Sequence, residues 1–282
     1  MEDIDDLKAL AKGKSFASMS SKDPEIVMVV DAINLGFRFL TTGQLDFADE
    51  YVKTVQSLAQ SYKAGRIIIA CDKGASSYRK NLYPEYKANR KEKQALQTPE
   101  EKAKFEAFFQ EFERTLVLLE ELYVVLRYEG VEADDIGAYL VSALSYKHLW
   151  LISTDKDWDL LVSDKVSRFS YVTRKEVTED TWPYECTNDN YLGLKVLSGD
   201  AGDNITKPEG LGPKRSLALL EEYGDIFGVI EAIPLPGKQK FIQNLNAAKD
   251  LLYRNIELMD LATFCREAIG EDNIKDINER LN

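Results

Sequence analysis

Ile26-Val-Met-Val-Val-Asp31 is an apolar run of strand length that stops on a carboxylate. Two further segments repeat the pattern: Ile67-Ile-Ile-Ala-Cys-Asp72 and Leu149-Trp-Leu-Ile-Ser-Thr-Asp155. Helical periodicity fills the gaps between them, as in Phe47–Tyr62 and Asp134–Tyr146. Strands alternating with helices predict an α/β fold with a central mixed, mostly parallel sheet covered on both faces. In such sheets ligands bind beyond the carboxyl ends of the strands, which is where Asp31, Asp72 and Asp155 fall.

These three belong to a set of nine carboxylates, completed by Glu132, Asp134 and Asp135 in Val-Glu-Ala-Asp-Asp, Asp157, and Asp200 and Asp203 in Gly-Asp-Ala-Gly-Asp-Asn. Two unit negative charges about 4 Å apart repel by roughly 4 kcal/mol at an effective dielectric near 20. Converging carboxylates therefore call for cations, and Mg²⁺ or Mn²⁺ suit an all-oxygen donor set. Any single aspartate after a strand is more often a helix cap than a ligand; five sets at consistent positions reverse that reading. Asp159 and Asp164 read as caps only, and His148, the one histidine, reads as structural. The absence of a Gly-x-x-x-x-Gly-Lys-Ser/Thr loop disfavours ATP hydrolysis.

The 282 residues carry a net charge of −12, which by itself argues against a nucleic-acid partner. Setting the nine carboxylates aside leaves 39 acidic against 36 basic residues. Lys73, Arg79, Lys80, Lys87, Arg90, Lys91 and Lys93 face only Glu85 and Glu92 in the window 73–93. An acidic pocket beside a basic stretch suits a metal-dependent enzyme acting on phosphates. Cys71, Cys186 and Cys265 are widely spaced and lack CxxC spacing, which fits a reduced, cytoplasmic setting. No apolar stretch approaches a membrane span.

Three regions are expected: a loose polar tail over 1–24, an α/β unit over 25–185 and a helical region over 186–282. A polar insertion interrupts the second from about Lys80 to Glu121. Within it Thr98-Pro-Glu-Glu101 predicts a helix start with Thr98 as N-cap, Pro99 in the first turn and Glu101 closing a capping box. Phe105, Phe108, Phe109, Phe112 and Leu116 follow as a helical stripe. Tyr78–Lys93, basic and tyrosine-rich, does not look like core. Gly210-Leu-Gly-Pro-Lys-Arg215 opens a helix to Tyr223 and resembles a turn whose amides approach a phosphate.

Taken in order, Asp31 with Asn34-Leu-Gly-Phe-Arg-Phe39, Pro84-Glu-Tyr-Lys-Ala-Asn-Arg90, Gly130–Asp135, Ser153–Asp159, Gly199–Asn204, Glu209–Arg215 and Leu235–Asn246 closely resemble the bacteriophage branch of the 5′-nuclease family. The resemblance covers about residues 25–265 and implies flap endonucleases that are also 5′→3′ exonucleases, with a helical arch over the active site and a helix–three-turn–helix gripping duplex DNA. It implies that Asp31, Asp72, Glu132 and Asp134 serve mainly a first metal site, and that Asp135, Asp155, Asp157, Asp200 and Asp203 form or support a second. Lys87 and Arg90 would engage the scissile phosphate. Tyr86 would stack on an unpaired nucleotide. Gly210, Gly212, Lys214 and Arg215 would bind the duplex backbone beside a carbonyl-held K⁺, and Arg38, Arg79, Lys80, Lys91, Lys93, Lys238 and Lys240 are further expected DNA contacts. Lys156, between two aspartates, and Pro208, before the hairpin, are small departures from the family pattern. The expected partner is flapped or branched DNA with a free 5′ end, met by a monomer away from membranes. Two alternatives stay open. A PIN-type Mg²⁺-dependent ribonuclease shares acidic strand ends but lacks the arch and the hairpin, and a non-catalytic DNA-junction binder needs no nine carboxylates.

Overall fold

The computed structural model describes residues 22–281; most of the expected tail lies outside them. Six strands form one sheet, in the order β3-β2-β1-β4-β5-β6. They are β1 (Asp23–Asp31), β2 (Ala64–Ala70), β3 (Val124–Leu126), β4 (His148–Ile152), β5 (Val166–Ser170) and β6 (Lys175–Val177). The first five run parallel and β6 pairs antiparallel with β5. β3 and β6, at three residues each, are too short to show a period. β5 hides for a different reason. Ser167, Arg168 and Ser170 are buried polar residues inside it, so it carries no apolar run.

Alternation along β1 splits the core in two. Met28 and Val30 face one cluster, Val27 and Val29 the other. The first face is covered by α1 (Ala32–Thr42), α2 (Ala48–Ser61) and the inner part of α5 (Pro99–Glu120). The second is covered by α6 (Ala133–Ala143), α12 (Leu261–Ile269) and α13 (Glu271–Leu281). Gly36 lets α5 close on α1, since a Cβ there would stand 3.2 Å from the Phe112 ring. Glu111 on α5 accepts from the Phe47 and Ala48 amides and so caps α2.

The segment from Lys80 to Glu121 does not behave as one polar insertion. α3 (Ser77–Leu82) is anchored by buried Arg79 and by Leu82 on a third apolar cluster, whereas α4 (Ala88–Ala95) and the start of α5 lie outside the core, and α5 opens with the Thr98–Glu101 capping box. Phe108, Phe112, Leu116 and Leu119 are core residues. Phe109 is 39% exposed, so it leaves the stripe.

That third apolar cluster holds α7 (Tyr191–Ser198), α8 (Pro213–Tyr223), α9 (Ile226–Ala232), α10 (Lys240–Asn246) and α11 (Lys249–Met259). Tyr86, just before α4, is buried in it. Among the described residues no helix is long and apolar enough to cross a membrane.

Arg79 ties three of these regions together. Standing on α3, it donates two hydrogen bonds to Asp135 of α6, at 2.7 and 2.8 Å, and one at 2.9 Å to the Leu258 carbonyl of α11. Arg79 is 2% exposed and Asp135 fully buried. Removing one partner of a buried pair strands the other charge, whereas apolar replacement of both can be neutral. Arg79→Met should therefore lower unfolding free energy by about 3–5 kcal/mol, and Arg79→Met with Asp135→Leu should recover most of it. Urea unfolding of the two variants checks this, and equal losses would mean that the pair is not the source.

Candidate active site at the strand ends

β1 and β4 are neighbours, and the chain leaves them in opposite directions across the sheet. A crevice opens at the carboxyl ends of strands at such a switch point. Asp31 is the last residue of β1. Its side chain accepts from the Asn34 amide, capping α1, and from Ser153 Oγ at 2.8 Å just past β4. Asp72 follows β2 and accepts from the Ala133 amide at 2.5 Å, which joins that strand end to the start of α6. Glu132 precedes α6, and Asp134 and Asp135 occupy its first turn, where the helix dipole favours negative charge. Asp155 caps the 3₁₀ turn Lys156–Leu161 by accepting from the Asp157 amide. Asp200 folds its own loop, accepting from the Gly202 and Asp203 amides.

Cations from other elements neutralise part of this charge. Lys87 Nζ lies 2.7 Å from Glu132 and 3.6 Å from Asp203. Arg90 donates to Asp203 at 2.7 Å. Lys195 of α7 pairs with Asp157 and stands 3.9 Å from Asp200. Asp31, Asp72, Asp134 and Asp155 form no ion pair among the described residues.

Burial is the leading influence on the titration of the groups that follow. Burial, reinforced by Asp72 and Asp155, pushes Asp31 well above the ordinary carboxylate value. Burial and then Asp155 do the same to Asp134. Burial, with Glu132 adding, raises Asp72 to about 6 against the Ala133 hydrogen bond. Asp157 is also raised to about 6 by burial, with Lys195 opposing. Glu132 is the exception. Burial would raise it, but Lys87 and Arg79 outweigh burial and hold it below its usual value.

Among the described residues no three carboxylates are preassembled tightly enough to enclose an ion. The chemistry of the donor set nevertheless fits hard divalent cations. It is all oxygen and contains carboxylates that form no ion pair; a small cavity of about 10 Å³ beside them is lined by Asp134, Asp157, Asp200 and Asp203 together with Arg79, Tyr86 and apolar side chains.

Several expected contacts take other places. Arg79 is no DNA-facing cation, because its guanidinium is consumed by Asp135 and the Leu258 carbonyl. Asp135 correspondingly spends both oxygens on Arg79. Tyr86 is 3% exposed, and its hydroxyl donates to Glu132 at 2.9 Å and lies 3.1 Å from Asp203, so it offers no face to a base. Asp159 is not a cap but the buried partner of Arg168 and Tyr184. His148 opens β4, at the opposite end of the sheet from the carboxylates, with Nε2 3.1 Å from Ser167 Oγ.

Arg38, Lys91, Lys93, Lys214, Lys238 and Lys240 are exposed, and Lys80 is half-buried. Gly210 adopts a positive φ of 83°, and its carbonyl is taken by Arg215, whose guanidinium also stacks on Phe241. Gly212 caps α8, with open space where a side chain would stand. Lys195, Trp158 and Arg168 belong to the site's support; Trp158 stands inside the Ser153–Asp159 motif, yet nothing in that motif points to Asp134, and Lys195 and Arg168 lie outside the motifs altogether.

The family 5′-3′ exonuclease, N-terminal resolvase-like domain, matches residues 27–186. The flap endonuclease of Escherichia phage T5 is 47% identical over 266 residues, covering 90% of this chain and 91% of its own. The thermostable DNA polymerase I of Thermus caldophilus is 27% identical over 84% of this chain, but only 29% of that longer protein is matched. Among solved structures, the bacteriophage T5 D15 flap endonuclease in a pseudo-enzyme–product complex with DNA and metal ions aligns with a TM-score of 0.86 at 46% identity, over 90% of this chain and 98% of that one. T5 5′-exonuclease with bound zinc gives 0.86 at 45% identity, over 91% and 98%. The catalytic core of Rad2, at 15% identity and a TM-score of 0.51, shares the fold.

The raised carboxylates make stability depend on pH and metal together. Asp72 and Asp157, ordinarily at 3.8, titrate near 6 in the folded chain. Their contribution to stability is thus complete below about pH 4 and lost as pH rises through 6. Without divalent metal, the melting temperature should fall by several degrees from this source between pH 4 and 7. Saturating Mg²⁺ should raise it more at pH 7 than at pH 4, since a cation binds ionised carboxylates of the folded state. Melting curves in EDTA and in Mg²⁺ at both pH values decide the matter; an equal metal response at each would contradict it.

Proposed function

The chain belongs to the 5′-3′ exonuclease family, and we propose on that footing that it is a Mg²⁺-dependent, structure-specific 5′-nuclease. It hydrolyses DNA phosphodiesters near single-strand/duplex junctions, as a 5′-flap endonuclease with 5′→3′ exonuclease activity, and leaves 5′-phosphate and 3′-hydroxyl ends. The observation that carries this is the set of buried carboxylates that form no ion pair among the described residues, gathered at the switch-point crevice with Lys87 and Arg90 at its edge.

Asp31, Asp72, Glu132 and Asp134 would hold one Mg²⁺, and Asp155, Asp157, Asp200 and Asp203 a second, with Mn²⁺ able to substitute. Asp135 supports them through Arg79 rather than by ligation. Bound there, two such ions supply an attacking water of lowered pKa and stabilise the leaving oxygen. Lys87 and Arg90, anchored on Glu132 and Asp203, set two positive charges where a phosphate would arrive. An approaching phosphate competes with those carboxylates for the same donors. The contact of Lys87 strengthens as negative charge shifts in the transition state.

A free 5′ strand would pass beneath α3, α4 and the start of α5, where Lys80, Lys91 and Lys93 lower the repulsion between its phosphates and an acidic protein. The duplex would lie against the Gly210–Arg215 turn and the start of α8, where the exposed Lys214 and Arg215 suit a phosphate backbone. Recognition is then of shape and backbone, without base readout.

A duplex carrying a 5′ flap labelled at its 5′ end should release a short flap fragment with Mg²⁺ and nothing in EDTA. Binding without cleavage in Mg²⁺ or Mn²⁺ would favour a junction binder, and preference for single-stranded RNA would favour a PIN-type ribonuclease. Asp155→Asn should abolish cleavage while leaving flap binding within about tenfold, as expected of a metal ligand outside the DNA contact surface. Lys87→Ala should lower kcat by about 10²–10³-fold, as loss of a transition-state donor does; a change confined to KM would make it a uniform binding residue.

A further inference from the structure

Trp158 lies between two aspartates that are both engaged elsewhere, Asp157 with Lys195 and Asp159 with Arg168. Its indole is wholly buried, and Nε1–H donates to Asp134 Oδ1 at 2.6 Å. This is a charge-assisted hydrogen bond. The approach is possible because Gly137, one turn along α6 from Asp134, has no side chain. A Cβ there would stand 2.9 Å from Cη2 and 3.0 Å from Cζ3 of the ring. Asp134 forms no ion pair, and its Oδ2 accepts no hydrogen bond among the described residues. One oxygen is therefore held from beneath and the other remains available.

We propose that Trp158 is a positioning residue for metal binding, its indole N–H holding the Asp134 carboxylate in the rotamer that presents one oxygen to a divalent cation. This rests on the metal-dependent reading above. Left without the donor, Asp134 would turn away from Asp31, Asp72 and Asp155, because like charges repel across a buried site. The indole opposes that rotation with a fixed, directional contact. It also takes up one oxygen, so the carboxylate acts as a single-oxygen donor, which suits the short, regular coordination of Mg²⁺. Groups that orient metal ligands typically contribute 10–100-fold in metal affinity.

The test is Mg²⁺ and Mn²⁺ affinity of the full chain without DNA, by calorimetry for the first and by the paramagnetic signal of free Mn²⁺ for the second. Trp158→Phe keeps an aromatic ring and loses the donor. Its affinity for both ions should be about 10–100-fold weaker, with circular dichroism unchanged in EDTA. Unchanged affinity, whatever happens to the melting temperature, would reduce Trp158 to a packing residue and overturn the proposal. If the natural chain itself binds neither ion, the metal-dependent reading fails instead.

A second measurement needs no folded variant. The chain has three tryptophans, and the indole N–H resonance of Trp158 should shift saturably with Mg²⁺ at the concentration that fills the site. The Trp150 and Trp182 resonances serve as internal references. A metal titration that leaves all three in place would also overturn the proposal.

Discussion

Mutual repulsion among buried carboxylates is the constraint around which this chain is arranged. The topology of a parallel sheet brings strand ends together whatever residues they carry, and here they carry Asp31, Asp72 and Asp155. The chain relieves part of the repulsion with cations supplied from elsewhere. Arg79 comes from α3, Lys87 and Arg90 from the segment that follows, and Lys195 from the helical region. Each ion pair also fixes the element that provides the cation. The segment around α3 and α4 and the helical region are thus docked to the sheet by the same charges that populate the site.

The division of labour among the basic residues follows from burial. Arg79 is buried, with its guanidinium on Asp135 and the Leu258 carbonyl, and acts on structure. Lys87, one residue beyond Tyr86, reaches the carboxylates from a left-handed backbone position with φ of 56°. Its amide donates to the Asp203 carbonyl, which holds that conformation in place. Non-glycine residues in that region are uncommon and collect at functional sites. Arg90 is more exposed and shares Asp203 with Lys87. Charge thus grades from a buried anchor, through half-buried Lys87 and exposed Arg90 at the site, to the lysines on α4. That gradient lets a chain with a net charge of −12 meet a polyanion on one face.

Sequence alone determined the parallel core, the carboxylates at the strand ends and the capped entry to α5, because each is local. An apolar run reports a buried strand, an acid after it reports the strand's carboxyl end, and Thr98 with Glu101 satisfies amides only three residues away. Tertiary structure decided the rest. Arg79 and Tyr86 looked exposed because their segment is polar, yet Asp135 and Glu132, far along the chain, draw them inside. Asp159 looked like a cap until β5 placed Arg168 beside it, and β5 itself was masked by the polar residues that make that pair. Trp158 reaches Asp134 only because Gly137 opens the surface of α6. A pairing between distant residues leaves no periodicity in either segment, so the pattern of charges was legible while the identity of their partners was not.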